Sequence, residues 1–205
     1  MLLIGVLVSG RGSNLDAILR AIERGVIKRA RVAIVISNDP TARALDVARR
    51  HGVKALALDS KGTSREEYDA KLTEVLRSHG VGSENGLVLL AGFMRILSKQ
   101  FVEAYQGRMM NIHPSLLPAF PGLRAQQQAI SHGVKVAGCT VHFVVPDVDA
   151  GPIIVQKSVP IKEDDDEESL SARILRQEHN MYPLAVKLFV EGRLLIEGRK
   201  VRIVG

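Results

Sequence analysis

Leu2-Leu3-Ile4-Gly5-Val6-Leu7-Val8-Ser9-Gly10-Arg11-Gly12-Ser13-Asn14-Leu15 opens the chain. Leu2–Val8 is a continuous apolar run, the pattern of a strand buried on both faces. Ser9–Asn14 breaks the run, and Leu15, Ile18, Leu19 and Ile22 then recur at helical spacing. Strand, glycine loop and helix in that order open a mononucleotide-binding α/β unit. The pattern continues outward. Val32–Ser37, Ala55–Leu58 and Leu87–Ala91 read as strands, and Thr41–His51 as a helix ended by Gly52. Ser64-Arg65-Glu66-Glu67 reads as a capping box whose helix runs to His79. Such alternation predicts an α/β fold: a single domain with a mostly parallel twisted sheet, helices on both faces, Rossmann-like in its first half. Ser98–Tyr105 and Ala125–His132 read as short helices, and Gly138–Val145 and Ile153–Val159 as further strands. Leu194–Ile196 and Val201–Ile203 form a terminal hairpin around Gly198. A helix carrying Leu170, Ile174, His179 and Leu184 should be kinked or divided at Pro183.

The chain's 205 residues, 46% of them hydrophobic, suffice for one sizeable core. With 4% aromatics and no Trp, that core must be filled by Leu, Ile, Val and Ala. A lone Cys139 excludes an intramolecular disulfide framework and suits a reducing compartment. No basic segment precedes a long apolar one, so neither a signal peptide nor a membrane partner is expected, and the cytoplasm is the expected location. Lys and Arg give a formal charge of +6, which could suit nucleic acid, but they are scattered rather than clustered; the charge alone decides nothing, and no nucleic-acid partner is expected from the sequence as a whole. Small anionic substrates account for the charge equally well.

Chemistry concentrates in Met109-Met110-Asn111-Ile112-His113-Pro114-Ser115-Leu116-Leu117-Pro118. Pro114 lacks an N–H, so a strand through Met109–Ile112 should stop at His113. Period two then puts Asn111 and His113 on one face at an open sheet end. An amide donor beside an imidazole suits a carbonyl that becomes an oxyanion. The bland alternative is a His packed under a Pro-rich loop. Asp149, beside Ala150-Gly151-Pro152, is the carboxylate that a rigid turn could aim at that imidazole, and a carboxylate there favours the protonated ring. Asp147 is expected to face water. His142, alternating within a strand, reads as structural, and Cys139 as a small core residue. Gly10-Arg11-Gly12-Ser13-Asn14 suits one phosphate: it lacks the Gly-Lys-Ser/Thr of a Walker A, and Leu15 stands where a dinucleotide fingerprint needs a third glycine. The alternative is a tight turn whose Ser or Asn caps the helix. Ala91–Leu97 could line a slot for a flat heterocycle, with backbone groups reading its polar edge, or Phe93 and Leu97 could simply pack. Glu163–Glu168 reads as the acidic first turn of a helix rather than a cation site. No His/Cys spacing suggests a metal.

These residues carry a resemblance. Gly12-Ser13-Asn14-Leu15, Ser64-Arg65-Glu66-Glu67-Tyr68-Asp69, Ala91–Ser98, Asn111–Pro118, Thr140–Val144 with Asp149-Ala150-Gly151-Pro152, and Gln177-Glu178-His179 with Tyr182-Pro183 arrive in the order of the folate-dependent formyltransferases. The chain resembles the branch that formylates glycinamide ribonucleotide, over nearly its whole length. The resemblance implies 10-formyltetrahydrofolate as co-substrate, glycinamide ribonucleotide as acceptor, no metal, and a monomer or homodimer in purine synthesis. It implies catalytic roles for Asn111, His113 and Asp149. It places the acceptor on Gly12, Ser13, Asn14 and Glu178. It places the folate on Arg65, Met94, Arg95, Ile96, Leu97, Asn111, Val145, Pro146, Asp147, Val148 and Asp149. The implied division is a mononucleotide-binding half, 1–107, and a catalytic and folate-binding half, 108–205. Two departures stand out. Arg124-Ala125-Gln126 replaces a stretch that usually carries His, and Leu175 stands where a polar residue often precedes the substrate-site Glu. Related enzymes that formylate initiator methionyl-tRNA or hydrolyse the formyl-folate carry an added C- or N-terminal domain. A chain running from Leu2 to Gly205 without one is expected to be neither.

Overall fold

A computed structural model describes all residues, Met1–Gly205. The chain divides into two compact units, Met1–Asn111 and Ile112–Gly205. The first unit alternates strand and helix: β1 (Leu2–Val8), α1 (Ser13–Glu23), β2 (Ala30–Ser37), α2 (Ala44–Arg50), β3 (Ala55–Ala57), α3 (Arg65–Ser78), β4 (Gly86–Leu90) and α4 (Lys99–Ala104). β5 (Met109–His113) runs across the division. Strand order in this unit is β3-β2-β1-β4-β5, and every pair is parallel. β2 lies on one side of β1 and β4 on the other, so the winding reverses between β1 and β4. In open parallel sheets the crevice at the carboxyl ends of such strands receives ligands. Ser9–Gly12 leaves β1 there, and Ala91–Ser98 leaves β4. The apolar run of β1 is buried as its composition requires.

α3 begins where the capping box predicts. The Ser64 side chain accepts from Glu67 N, and the Glu67 carboxylate accepts from Ser64 N. α1 and α2 are tied by His51 at the end of α2, whose Nδ1 is 2.6 Å from Glu23 Oε1 and whose Nε2 is 2.9 Å from Asp16 Oδ1. Hydrogen bonding to Glu23, then to Asp16, outweighs burial and raises the ring's pKa above 6.5. A raised value means the stabilisation is fully present below 6.5 and is lost as pH rises through the folded-state value. His51→Ala is therefore expected to lower the melting temperature more at pH 6 than at pH 9. Equal deficits at both pH values would reduce His51 to a packing residue.

The second unit contains α5 (Ala125–Ser131), β6 (Val136–Phe143), β7 (Ile153–Pro160), α6 (Glu167–Val190), β8 (Leu194–Glu197) and β9 (Lys200–Ile203). Its strand order is β6-β7-β9-β8; β6 with β7 and β8 with β9 are antiparallel, while β7 with β9 is parallel. Across the chain the sheet is therefore mostly parallel. Cys139, Ala137, Val159, Leu170 and Ile174 form a core between α6 and the strands. The thiol of Cys139 is pushed up to about 12 by burial and by the charge of Glu178, which makes it an inert core group. The acidic run serves α6. Asp166 caps the helix through Ser169 N, and Asp165 is gripped by both terminal nitrogens of Arg173 at 2.6 and 2.7 Å. The helix is not divided at Pro183, which lies inside a single helix, Glu167–Val190. The buried residues on either side, Ile174, Glu178, Tyr182, Val186 and Leu188, show why: the packed face continues past the proline and outweighs one missing N–H. No helix is long and apolar enough to cross a membrane.

Candidate active site

In the first unit the loop after β1 turns at Gly12, which holds φ 81° and ψ 20° as the N-cap of α1. Gly12 has no side chain, so the N-cap residue itself cannot occupy the N–H groups at this end. The first-turn N–H groups at the start of a helix have no intrahelical partner and suit an anion. Gly12 is also required by packing. A Cβ there would lie 2.7 Å from Ala44 Cα and 2.8 Å from Ala44 Cβ. Ala44 N donates to Gly10 O at 3.0 Å, which fixes the loop against α2.

The loop after β4 presents Met94 and Ile96 outward, 72% and 57% exposed, while Leu97 is buried. Exposed apolar side chains on a tethered loop suit a flat apolar ligand. The tethers are specific. Met94 N donates to Ser9 Oγ at 2.8 Å, and Ser98 N to Asp69 Oδ2 at 2.5 Å. The Arg95 side chain is engaged by α3 and the residues before it: its guanidinium donates to Thr63 O and Ser64 O at 3.2 and 3.0 Å and stacks over Tyr68. What position 95 can offer a ligand is therefore backbone. Arg65 is exposed on the first turn of α3.

β5 ends at His113, as Pro114 dictates, and carries Asn111 two residues earlier, half-buried and on the His113 side by alternation. His113 is not at an open end. It is 5% exposed, because the loop that follows folds back over it: its Nε2 lies 2.8 Å from Phe120 O. Its Nδ1 is 3.3 Å from Asp149 Oδ2. Asp149 is aimed by the turn that sequence pointed to. It sits at φ 52°, and Gly151 follows where a Cβ would collide with Phe143 O. The carboxylate also accepts from Gly122 N at 2.8 Å.

A second imidazole, read from the sequence as structural, also faces the carboxylate. His142 Nε2 is 3.7 Å from Asp149 Oδ1, and its Nδ1 is 2.9 Å from Phe143 O. The pairing of β6 with β7 slips between Val141 and His142, a bulge that turns this side chain toward the aspartate. Burial pushes the Asp149 carboxyl up; His142, the Gly122 N–H and the charge of His113 outweigh it, and its pKa is lowered. The Pro-rich loop rests on two more unforeseen residues. Thr140 Oγ1 donates to Ser115 O and accepts from Leu117 N, and Gln156 Nε2 donates to both Leu117 O and Thr140 Oγ1. Pro146, Asp147 and Val148 are exposed and Val145 half-buried, ahead of Asp149. Glu178 is buried on α6, one turn after half-buried Leu175.

A glycine turn at a helix start, and an imidazole held by a half-buried carboxylate, are the equipment of a group-transfer enzyme. The chain belongs to the formyl transferase family, whose model matches residues 3–186. It is 44% identical over 190 residues to a phosphoribosylglycinamide formyltransferase of Escherichia coli, covering 92% of this chain and 87% of that protein. It is 48% identical over 197 residues to the trifunctional purine biosynthetic protein adenosine-3 of Drosophila melanogaster, covering 94% of this chain but only 14% of that relative's length. Among solved structures, glycinamide ribonucleotide transformylase 1 of Symbiobacterium toebii superposes with a TM-score of 0.95 at 55% identity, covering 100% of this chain and 95% of the other.

Proposed function

We propose that this chain transfers the formyl group of 10-formyltetrahydrofolate to the amino group of glycinamide ribonucleotide, a step of purine synthesis, as one formyltransferase domain in the cytoplasm. The observation that carries the reading is the His113–Asp149 pair at 3.3 Å, in a chain whose relatives bear that activity in their names. The substrate amine is the nucleophile, so the step needs neither a metal nor a covalent enzyme intermediate. Its nitrogen bonds to the formyl carbon, and negative charge gathers on the formyl oxygen. Asn111 donates to that oxygen and protonated His113 stabilises it. The bond from carbon to the folate nitrogen then breaks, and the proton lost by the amine ends on that nitrogen. Asp149 orients His113. Gly12, Ser13 and Asn14 receive the acceptor's phosphate, and Glu178 its amino end. Arg65, the Met94–Leu97 backbone and Val145–Asp149 receive the folate. Assays with glycinamide ribonucleotide, initiator methionyl-tRNA and water as competing acceptors test this reading. Turnover confined to either of the last two would overturn it.

Gly12→Val is expected to weaken ribonucleotide binding far more than folate binding, because a β-branched side chain resists positive φ and, pressed against Ala44, shifts the loop that receives the anion. The contact with Ala44 adds a fall in melting temperature. Separate titrations of the folded variant decide the matter; equal weakening of both ligands would make the loop purely structural.

A further inference from the structure

Two loops meet at the switch point of the first unit, and the proposed function gives them different substrates. One side chain joins them. Ser9 is the last residue before the glycine loop. Its N–H donates to Gly92 O at 3.0 Å. Its hydroxyl accepts from Met94 N at 2.8 Å and donates to Asn38 Oδ1 at 2.5 Å. Asn38 is held in its turn, since its Nδ2 is 3.5 Å from Ser60 Oγ and its carbonyl accepts from Ser60 N at 3.4 Å. The amide oxygen of Asn38 fixes which way the hydroxyl hydrogen points. A lone pair is thereby left facing Met94 N–H, and the position of that N–H is set.

The far end of the Gly92–Ser98 loop has its own anchors in Arg95 and Asp69. The near end has only Ser9. Between the two ends lie exposed Met94 and Ile96 and the backbone polar groups that would read the edge of a heterocycle. The glycine loop does not depend on the hydroxyl, because Ala44 holds it through Gly10 O and through close packing at Gly12.

We propose that Ser9 is a positioning residue for the formyl donor. Its hydroxyl fixes the Met94 backbone, and with it the register in which Met94–Leu97 meets the folate. Asn38 is the partner that holds the hydroxyl in that orientation. This inference rests on the function proposed above.

Ser9→Ala should therefore separate the two substrates. The KM for 10-formyltetrahydrofolate is expected to rise about three- to ten-fold, the factor that one neutral hydrogen bond supplies. The KM for glycinamide ribonucleotide should stay within about two-fold, and Ser9→Thr, which keeps the hydroxyl, should restore the donor KM. In the ligand-free protein the Met94 amide hydrogen should exchange faster in Ser9→Ala than in the parent. A folded Ser9→Ala protein with the parental donor KM would overturn the inference, as would equal rises in both KM values. If the parent transfers no formyl group to the ribonucleotide, the proposed function fails by itself. Titration of the folate onto parent and Ser9→Ala, with the Met94 exchange rates, then still decides the role of Ser9.

Discussion

Replacing His113 by alanine is expected to lower turnover at saturating substrates by about 10²–10⁴-fold, the range for loss of a positioned acid. The fold will feel the change as well. His113 is buried, and its Nε2–H is the donor that Phe120 O receives. Leaving that carbonyl unpaired costs about 1–3 kcal/mol. His113→Gln can still donate to Phe120 O and separates the two effects: it should melt close to the parent and remain nearly inactive. A folded Gln variant with near-parental turnover would remove His113 from the chemistry. The geometry adds a condition. Nδ1 faces Asp149, so the hydrogen available to an oxyanion is the one on Nε2, and the formyl oxygen must displace Phe120 O to reach it. Phe120 and Arg124 hold φ of 53° and 55°, which places left-handed backbone at both ends of the short segment to be displaced. Asn111→Ala should cost roughly 10²–10³-fold for loss of one oxyanion donor, with turnover measured as for His113.

Much of this was legible because local rules settle it. A continuous apolar run of seven residues, broken by Gly10 and Gly12, is short for a helix and suits a buried strand leading into a tight turn. Ser64 with Glu67 fixes the start of α3, and Pro114 ends β5 at His113. What escaped depends on how loops fold back and on the register between strands. Nothing local to Asn111–Pro114 shows that the chain returns at Phe120 to cover the imidazole. His142 looked like an ordinary alternating strand residue, and only the slipped pairing with β7 turns it toward Asp149. Arg95 stands in the middle of a loop read as a folate slot, yet its planar guanidinium finds two carbonyls and a ring at the start of α3, some thirty residues earlier. Pro183 was read by its intrinsic cost, which the buried face of α6 outweighs.

Asp149→Asn is expected to lower turnover by roughly 10²–10⁴-fold, since the same exchange behind a catalytic histidine on another fold costs about 10⁴. The reason lies in its partners. Oδ2 accepts from Gly122 N and faces His113 Nδ1, while Oδ1 faces His142 Nε2. Asparagine has one oxygen for these three groups. Turned one way, its NH₂ confronts the Gly122 N–H and releases the loop; turned the other way, it keeps Gly122 but presents no charge to either imidazole. Acid stability supplies a second, independent measurement. The carboxyl's folded-state pKa is lowered despite burial, by His142, the Gly122 N–H and the charge of His113. Its stabilisation is therefore fully present above the ordinary aspartate value of about 3.9 and disappears as pH falls through the lower, folded value. Parent and variant should differ most in melting temperature from pH 5 upward and converge toward pH 2. Parallel profiles with a constant gap would mean that shape rather than charge is what the site uses. Turnover within a few-fold of the parent in a folded Asp149→Asn protein would leave the carboxylate with no part in orienting His113.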